Sequence, residues 1–339
     1  MVSYAPDQLA GYVCNHAGPS PTVTDPTGLF PPQSEVDGLI KTVKAKSGLI
    51  ACVAMEYSAR GQAPGTQPFV KFFIFGANGS LLSTVDLDGR GPKGVPNVCT
   101  ACHGGTFDYN TVASDGKTAY FDPSKKIYYD PTLQPTPDVP SNIRPAGDLG
   151  AHFLPFDKQN FAFSSKLSPD QQDDANFRLN VDVYTTEITR VKIGSNGFIS
   201  YGGLASASIT DLISNWYDSK LSRDNPAPGF DTTRVPIFWD YFGYNQIYTN
   251  SYAHSCRTCH VAMENAPLDR APLTVKGVAG PLVFNTHTMP NAKVTFDRFW
   301  LSDPNWTFPL VNVPGQPASA PNQPSLLNQI MACVSFNNP

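Results

Sequence analysis

Charge is scarce in this chain. Asp, Glu, Lys and Arg make up 15% of its 339 residues, against about 25% in an average soluble domain. Lys plus Arg number 24 and Asp plus Glu 28, a net charge of −4. A near-neutral, slightly acidic chain lacks the basic footprint of a phosphate-backbone binder, so no nucleic-acid partner is expected. No run approaches the ~18–20 uninterrupted apolar residues of a membrane helix, so no membrane span is expected. The opening Met1-Val2-Ser3-Tyr4-Ala5-Pro6 lacks the basic start and apolar run of a leader. No wider segment repeats at a fixed period. Histidine (6) and methionine (5) are few, so each has to be placed individually.

What is present is a foldable composition: 41% hydrophobic, 12% aromatic, which argues against global disorder. The length corresponds to about two domains of roughly 150 residues. Proline (32) and glycine (26) are abundant, so the expectation is a coil-rich α+β fold with short helices. Residues 1–34 and 104–165 read as irregular. Val36, Leu39, Ile40 and Val43 have helical spacing over 35–46. Residues 49–57 and 68–76 read as strands, and Asn78-Gly79 predicts a hairpin turn into a returning strand at 81–87. Ser168-Pro169-Asp170 starts a helix running to about Val183. Further helices are expected at 210–221, 294–301 and 324–334. Asp86-Leu87-Asp88-Gly89 reads as a solvated turn, since a calcium loop needs more spaced oxygen ligands.

The cysteines carry the chemistry. Of seven, four fall into two matching patterns, Cys99-Thr100-Ala101-Cys102-His103 and Cys256-Arg257-Thr258-Cys259-His260. C-x-x-C-H is the attachment signature of c-type haem. Each thiol adds to one vinyl group, the two-residue spacer sets both sulfurs along one haem edge, and the adjacent histidine becomes the proximal iron ligand. The cofactors expected are therefore two covalently attached c-type haems, with His103 and His260 on the irons. The rivals are a zinc site built from paired knuckles and a thioredoxin-like pair, which wants a strand before it. Gly91-Pro92-Lys93-Gly94-Val95-Pro96-Asn97 is a poor strand. Cys14, Cys52 and Cys333 remain. Two of them can pair in an oxidising compartment, and sequence does not decide which.

With Met289-Pro290 in the second half, these motifs give the chain its resemblance to the dihaem c-type cytochromes. Pro96 to Gly105, Gly150 to Asp157 and Ser255 to Ala262 also look like exported bacterial proteins with a cytochrome c-like domain. That resemblance carries no established activity. It implies an N-terminal haem domain with a β-hairpin or small antiparallel sheet, 1–165, and a C-terminal cytochrome c-like domain, 166–339. It also implies a periplasmic or extracellular location, because covalent haem attachment takes place outside the cytoplasm in bacteria. In small c-type cytochromes a Met-Pro loop lays the thioether on the iron, so the resemblance implies Met289 as sixth ligand of the second haem. His287 is the alternative.

For the first haem the candidates are Met55, in a strand-like run, and His152, in an aromatic loop, with an open iron as the third option. His16 and His254 are minor candidates, and Met263 is discounted as too close to His260. Two closed irons imply an electron carrier, with a redox partner protein or an extracellular electron acceptor, and homo-oligomers as a further variant. One open iron implies a dihaem peroxidase or oxidase, with Glu56 or His152 as the polar distal group. A haem-based sensor is the minor alternative.

Overall fold

The computed structural model describes residues 2–5, 8–17, 32–59, 68–105, 120–122, 127–129, 149–190, 203–218, 221–241, 243–263, 280–300 and 323–333. The fold is α+β, a small antiparallel sheet with mostly short helices. Strands β1 (Val2–Ala5), β2 (Gln8–His16), β3 (Leu49–Ala59) and β4 (Pro68–Gly76) form one sheet in the order β1-β2-β3-β4, all neighbours antiparallel. Helix α1 (Gln33–Lys44) lies between β2 and β3 in the chain.

Two sheet expectations change. Residues 1–34 were read as loop, yet they hold β1 and β2. The signal is weak because β2 buries only Leu9 and Ala10 and leaves Tyr12 and Val13 about 60% exposed, at 60% and 62%. Its place is secured by pairing, Cys14 opposite Cys52, and by a disulfide between those two. The return strand expected at 81–87 is nearly absent. After the Asn78-Gly79 turn, only Leu81 bridges back to Phe75. Thr84–Val85 (β5) instead pairs with Lys93–Gly94 (β6).

The sheet's period of two sorts its side chains. Leu9, Met55, Tyr57, Val70 and Phe72 share one face through the pairs Leu9–Tyr57, Met55–Phe72 and Tyr57–Val70. Against this face pack helix α3 (Asp173–Arg190) and helix α4 (Gly203–Trp216), through Phe177, Val181, Ile209 and Ile213 among others. The start of α3 follows the expectation at Ser168. Gln171 donates its amide to Ser168 Oγ while Ser168 donates its own to Gln171 Oε1, a reciprocal capping box. A 3-10 turn, Asp170–Gln172, leads into the helix.

The same core takes in Leu149, Ala151, Phe153, Val261 and Ala262. The division expected at 165 is thus not a break in the packing, because one apolar cluster draws on both sides of it. Farther along the sheet face, Ala51 and Ile74 pack with Cys99 of helix α2 (Asn97–His103). A second cluster belongs to the later chain, with Trp239, Tyr248, Tyr252, Phe299, Trp300 and Leu327. Residues 223–252 contain helix α5 (Ile237–Tyr241), α6 (Asn245–Ile247) and a π turn, Tyr248–Tyr252. Helices α7 (Ala253–Ser255), α8 (Arg257–His260), α9 (Lys293–Trp300) and α10 (Gln323–Cys333) complete the order. Among the described residues no helix is long and apolar enough to cross a membrane.

Candidate functional site

The two C-x-x-C-H motifs, remote in sequence, fold against each other. Cys99, Cys102 and His103 lie on α2. Cys256 precedes α8, and Cys259 and His260 lie on it. Helices α2 and α8 pack directly together. Two glycines after His103 make the approach possible. Gly104 has φ 69° and ψ −170°, a conformation open essentially to glycine alone. A Cβ there would stand 1.9 Å from the carbonyl oxygen of Ala262. At Gly105, φ 85°, a Cβ would stand 2.3 Å from the carbonyl oxygen of Leu149.

The irregular segment Ala151–Asp157 connects both motifs to the helical layer. His103 Nδ1–H donates to the His152 carbonyl at 2.9 Å, and the His152 amide donates to the His103 carbonyl at 2.8 Å. This bond fixes the tautomer and leaves Nε2 with the lone pair that can bind a metal. Burial pushes His103 down to about 4, so the ring is neutral at physiological pH. Phe72 stands beside it, with ring centroids 5.5 Å apart.

Helix α3 holds the segment from behind. Asn180 and Glu187 are seven positions apart, hence on one face two turns apart. Asn180 accepts from the Phe156 amide at 2.7 Å and donates to the Phe156 carbonyl at 3.0 Å. Glu187, fully buried, accepts from His152 Nδ1 at 2.9 Å and from Ser206 Oγ at 2.5 Å.

At its other end the segment reaches the second motif. Arg257, between the two motif cysteines and 2% exposed, pairs with Asp157, also buried at 3%. Its Nε donates to Asp157 Oδ2 at 3.2 Å, and its Nη1 donates to Tyr248 Oη at 3.2 Å. Burial opposes the charge on Arg257, but Asp157 and Tyr248 outweigh it and raise the guanidinium above its ordinary value. The guanidinium also lies over Trp216, 5.3 Å from the ring centroid, a cation–π contact.

The second motif opens onto a cleft that is partly open to solvent. Cys256, Cys259, His260, Met289 and Pro290 all line it. Met263 and, from the first motif, Ala101 also contribute. The Met289 carbonyl accepts from Trp300 Nε1 at 3.2 Å, which ties the loop to α9. From the first half, Arg90 donates to the Asn291 carbonyl at 3.3 Å and lies over the Phe296 ring. Arg90 is delivered by the Asp86 turn. Asp86 accepts from the amides of Asp88, Gly89 and Gly91, so its carboxylate organises backbone rather than a cation.

These placements sort the ligand candidates. Met289 lines the same cleft as His260, whereas His287 is not among the lining residues and sets its ring edge-on to Trp300 at 4.9 Å. His152 turns its ring Nδ1 to Glu187 at 2.9 Å, while its backbone carbonyl accepts from His103 Nδ1. Met55 fills the apolar core beside Tyr57 and Val70. Glu56 leaves the opposite face of β3 and pairs with Lys71 at 3.4 Å, so it is not a distal acid for His103. His16 bonds the Ser47 carbonyl at 2.8 Å, on the surface. His254 is half-buried, with Arg257 and Arg298 close enough to act on its charge. Cys333 lies at the end of α10.

The donor set fits covalent haem: paired thiols in each motif, the His103 imidazole with its Nδ1 engaged by a carbonyl, and at the second motif a largely apolar cleft that Met289 also lines. Among the described residues no group of three or more His, Cys, Asp or Glu side chains is placed to hold one metal ion, as a zinc knuckle pair would require. Asp157, Glu187, Asn180 and Arg90 are the site residues that sequence reasoning missed. The one visible signal was the Gly150–Asp157 stretch. In comparisons with known proteins, no family model, no curated protein and no solved structure matches the chain.

Proposed function

We propose that the chain is a dihaem c-type cytochrome that transfers electrons. The observation that carries this reading is the cleft lined by Cys256, Cys259 and His260 together with Met289. Bound haem would supply one-electron redox chemistry at iron, and a Met/His pair raises its potential. The chain's own part is to hold and shield. Cys99, Cys102, Cys256 and Cys259 provide the thioether sulfurs. His103 and His260 provide the imidazoles, the former oriented by the His152 carbonyl. The Met289 loop, pinned by Trp300 and Arg90, keeps the thioether at the cleft. The Cys14–Cys52 disulfide supports a periplasmic or extracellular location, and the partner is a redox protein or an extracellular electron acceptor.

The test is the visible and near-infrared spectrum of purified protein with covalent haem counted per chain. Two covalent haems are expected, with a far-red methionine-to-iron band that disappears in Met289→Ala. A chain without covalent haem overturns the reading. A second reading, a dihaem peroxidase or oxidase, is favoured by the engagement of His152 Nδ1 with Glu187 and of Met55 with the apolar core. It predicts a high-spin component that shifts on adding peroxide or cyanide.

A further inference from the structure

The loop 286–291 carries two side chains able to bind iron, His287 and Met289, two positions apart. It connects a π turn, Gly280–Asn285, to helix α9. The two side chains are placed differently. Met289 lines the cleft with His260, and His287 does not. His287 has φ 52°, a left-handed backbone that is uncommon outside glycine and persists in other residues only where the surroundings hold it. Trp300 is in contact with both. Its Nε1 donates to the Met289 carbonyl at 3.2 Å, and its ring centroid lies 4.9 Å from that of His287. Trp300 is itself buried, with Phe299 edge-on at 5.0 Å and Phe284, from the turn before the loop, edge-on at 6.3 Å. One fixed indole thus sets the carbonyl of one iron-binding residue and the ring of the other.

We propose that Met289 and His287 are competing ligands of the second iron, and that Trp300 is the positioning residue that selects Met289. The inference rests on the dihaem reading. Imidazole and thioether both serve as axial ligands of haem iron, so the choice between them falls to the loop. The hydrogen bond to the Met289 carbonyl holds the turn that keeps this residue at the cleft. The ring contact keeps the His287 imidazole at the indole. Both contacts end together when the loop leaves Trp300, because one side chain makes both. The backbone at His287 is then free to leave its left-handed conformation, which favours the rearranged loop. The exchange is a substitution. The iron–sulfur bond breaks, a bond forms from a ring nitrogen lone pair of His287 to the iron, and no electron or proton is transferred. An iron held by two imidazoles has a lower potential than one held by methionine and imidazole. Trp300 therefore keeps the second haem at the higher of two potentials open to it.

Covalent haem count and the ferric near-infrared spectrum of the purified full chain are measured first. Fewer than two covalent haems, or a far-red band undiminished in Met289→Ala, overturns the reading on which the proposal rests, and the proposal with it. With that reading intact, Trp300→Phe removes the N–H donor and keeps an aromatic ring. This variant is expected to lose most of the far-red band, to stay low-spin by electron-spin resonance, and to show a lower potential at the second haem. Trp300→Phe/His287→Asn is expected to regain the band, since asparagine tolerates the left-handed backbone and offers no imidazole. A wild-type band and potential in Trp300→Phe overturn the role of Trp300 while leaving the dihaem reading intact. A band still absent from the double variant shows a merely disrupted loop and overturns the role of His287. If Trp300→Phe does not fold, Met289→Ala decides the competition. A second iron that stays low-spin in Met289→Ala and turns high-spin in Met289→Ala/His287→Asn supports it. A high-spin second iron in Met289→Ala alone overturns it.

Discussion

The ring of His103 donates to the backbone carbonyl of His152 at 2.9 Å, and the amide of His152 donates back to the carbonyl of His103 at 2.8 Å. The orientation of the first motif's imidazole therefore depends on a backbone segment far along the chain, and that segment depends on Glu187.

Glu187→Ala removes the acceptor of a buried His152 N–H. Leaving such a group unsatisfied costs about 1–3 kcal/mol, and Glu187→Gln, which keeps an acceptor, is expected to recover part of it. Urea unfolding of the variants measures this. Equal midpoints for the alanine variant and the wild type would show that the contact contributes nothing.

Asp157→Ala strands Arg257, 2% exposed, without its counter-charge. Breaking a buried pair from one side costs about 3–5 kcal/mol. The double variant Asp157→Leu/Arg257→Leu removes both charges and is expected to be less damaging than Asp157→Ala. A double-mutant cycle by chemical denaturation separates the coupling from lost packing.

Arg90 ties the first half of the chain to the Met289 loop, through a neutral acceptor and with its side chain partly exposed. Its loss is expected to weaken the loop by about 0.5–1.5 kcal/mol, which corresponds to at most roughly tenfold easier displacement of Met289 by added imidazole. Titration of the far-red band with imidazole in Arg90→Ala reads this directly. Arg90→Lys keeps the charge but loses the planar contact over Phe296, and is expected to fall between the two.

Acid sensitivity should centre on His254. Burial, then Arg257 and Arg298, pushes its pKa from 6.5 down to about 4, with Asp157 opposing. The unfolded chain takes up a proton near 6.5 that the folded chain refuses until about 4. Stability from this group is thus fully present above pH 6.5, declines as pH falls through that window, and is lower by about 3 kcal/mol at its acid end. His254→Gln is expected to flatten the decline between pH 7 and pH 4.5 in denaturant melts. An unchanged slope would assign the acid loss to other groups.

Local signals were legible where one element's own pattern sufficed. The strand at 68–76 and the helix before the C-terminus are expected and found within one residue, and Ser168 caps as its residue type suggests. Strand β2 escaped notice because its stability comes from pairing with β3 rather than from an alternating apolar face. The return strand at 81–87 failed for the converse reason: the Asn-Gly turn forms, but the residues after it find a partner in Lys93–Gly94. A pairing choice is a property of two segments, and neither segment carries it alone.

By itself the sequence determined the chemical inventory: two pairs of thiols, each with its histidine at fixed spacing, a methionine in a loop with proline, and too little charge for a nucleic-acid surface. These follow from residue identity and short-range covalent reach. Only the tertiary structure decided how the inventory is assembled. It packed α2 against α8, bonded the His103 ring to the His152 carbonyl, and paired Arg257 with Asp157. These relationships arise from burial. Once the sheet, α3 and α4 exclude water from one shared core, each enclosed N–H and charge must find its partner among whatever the packing has brought near.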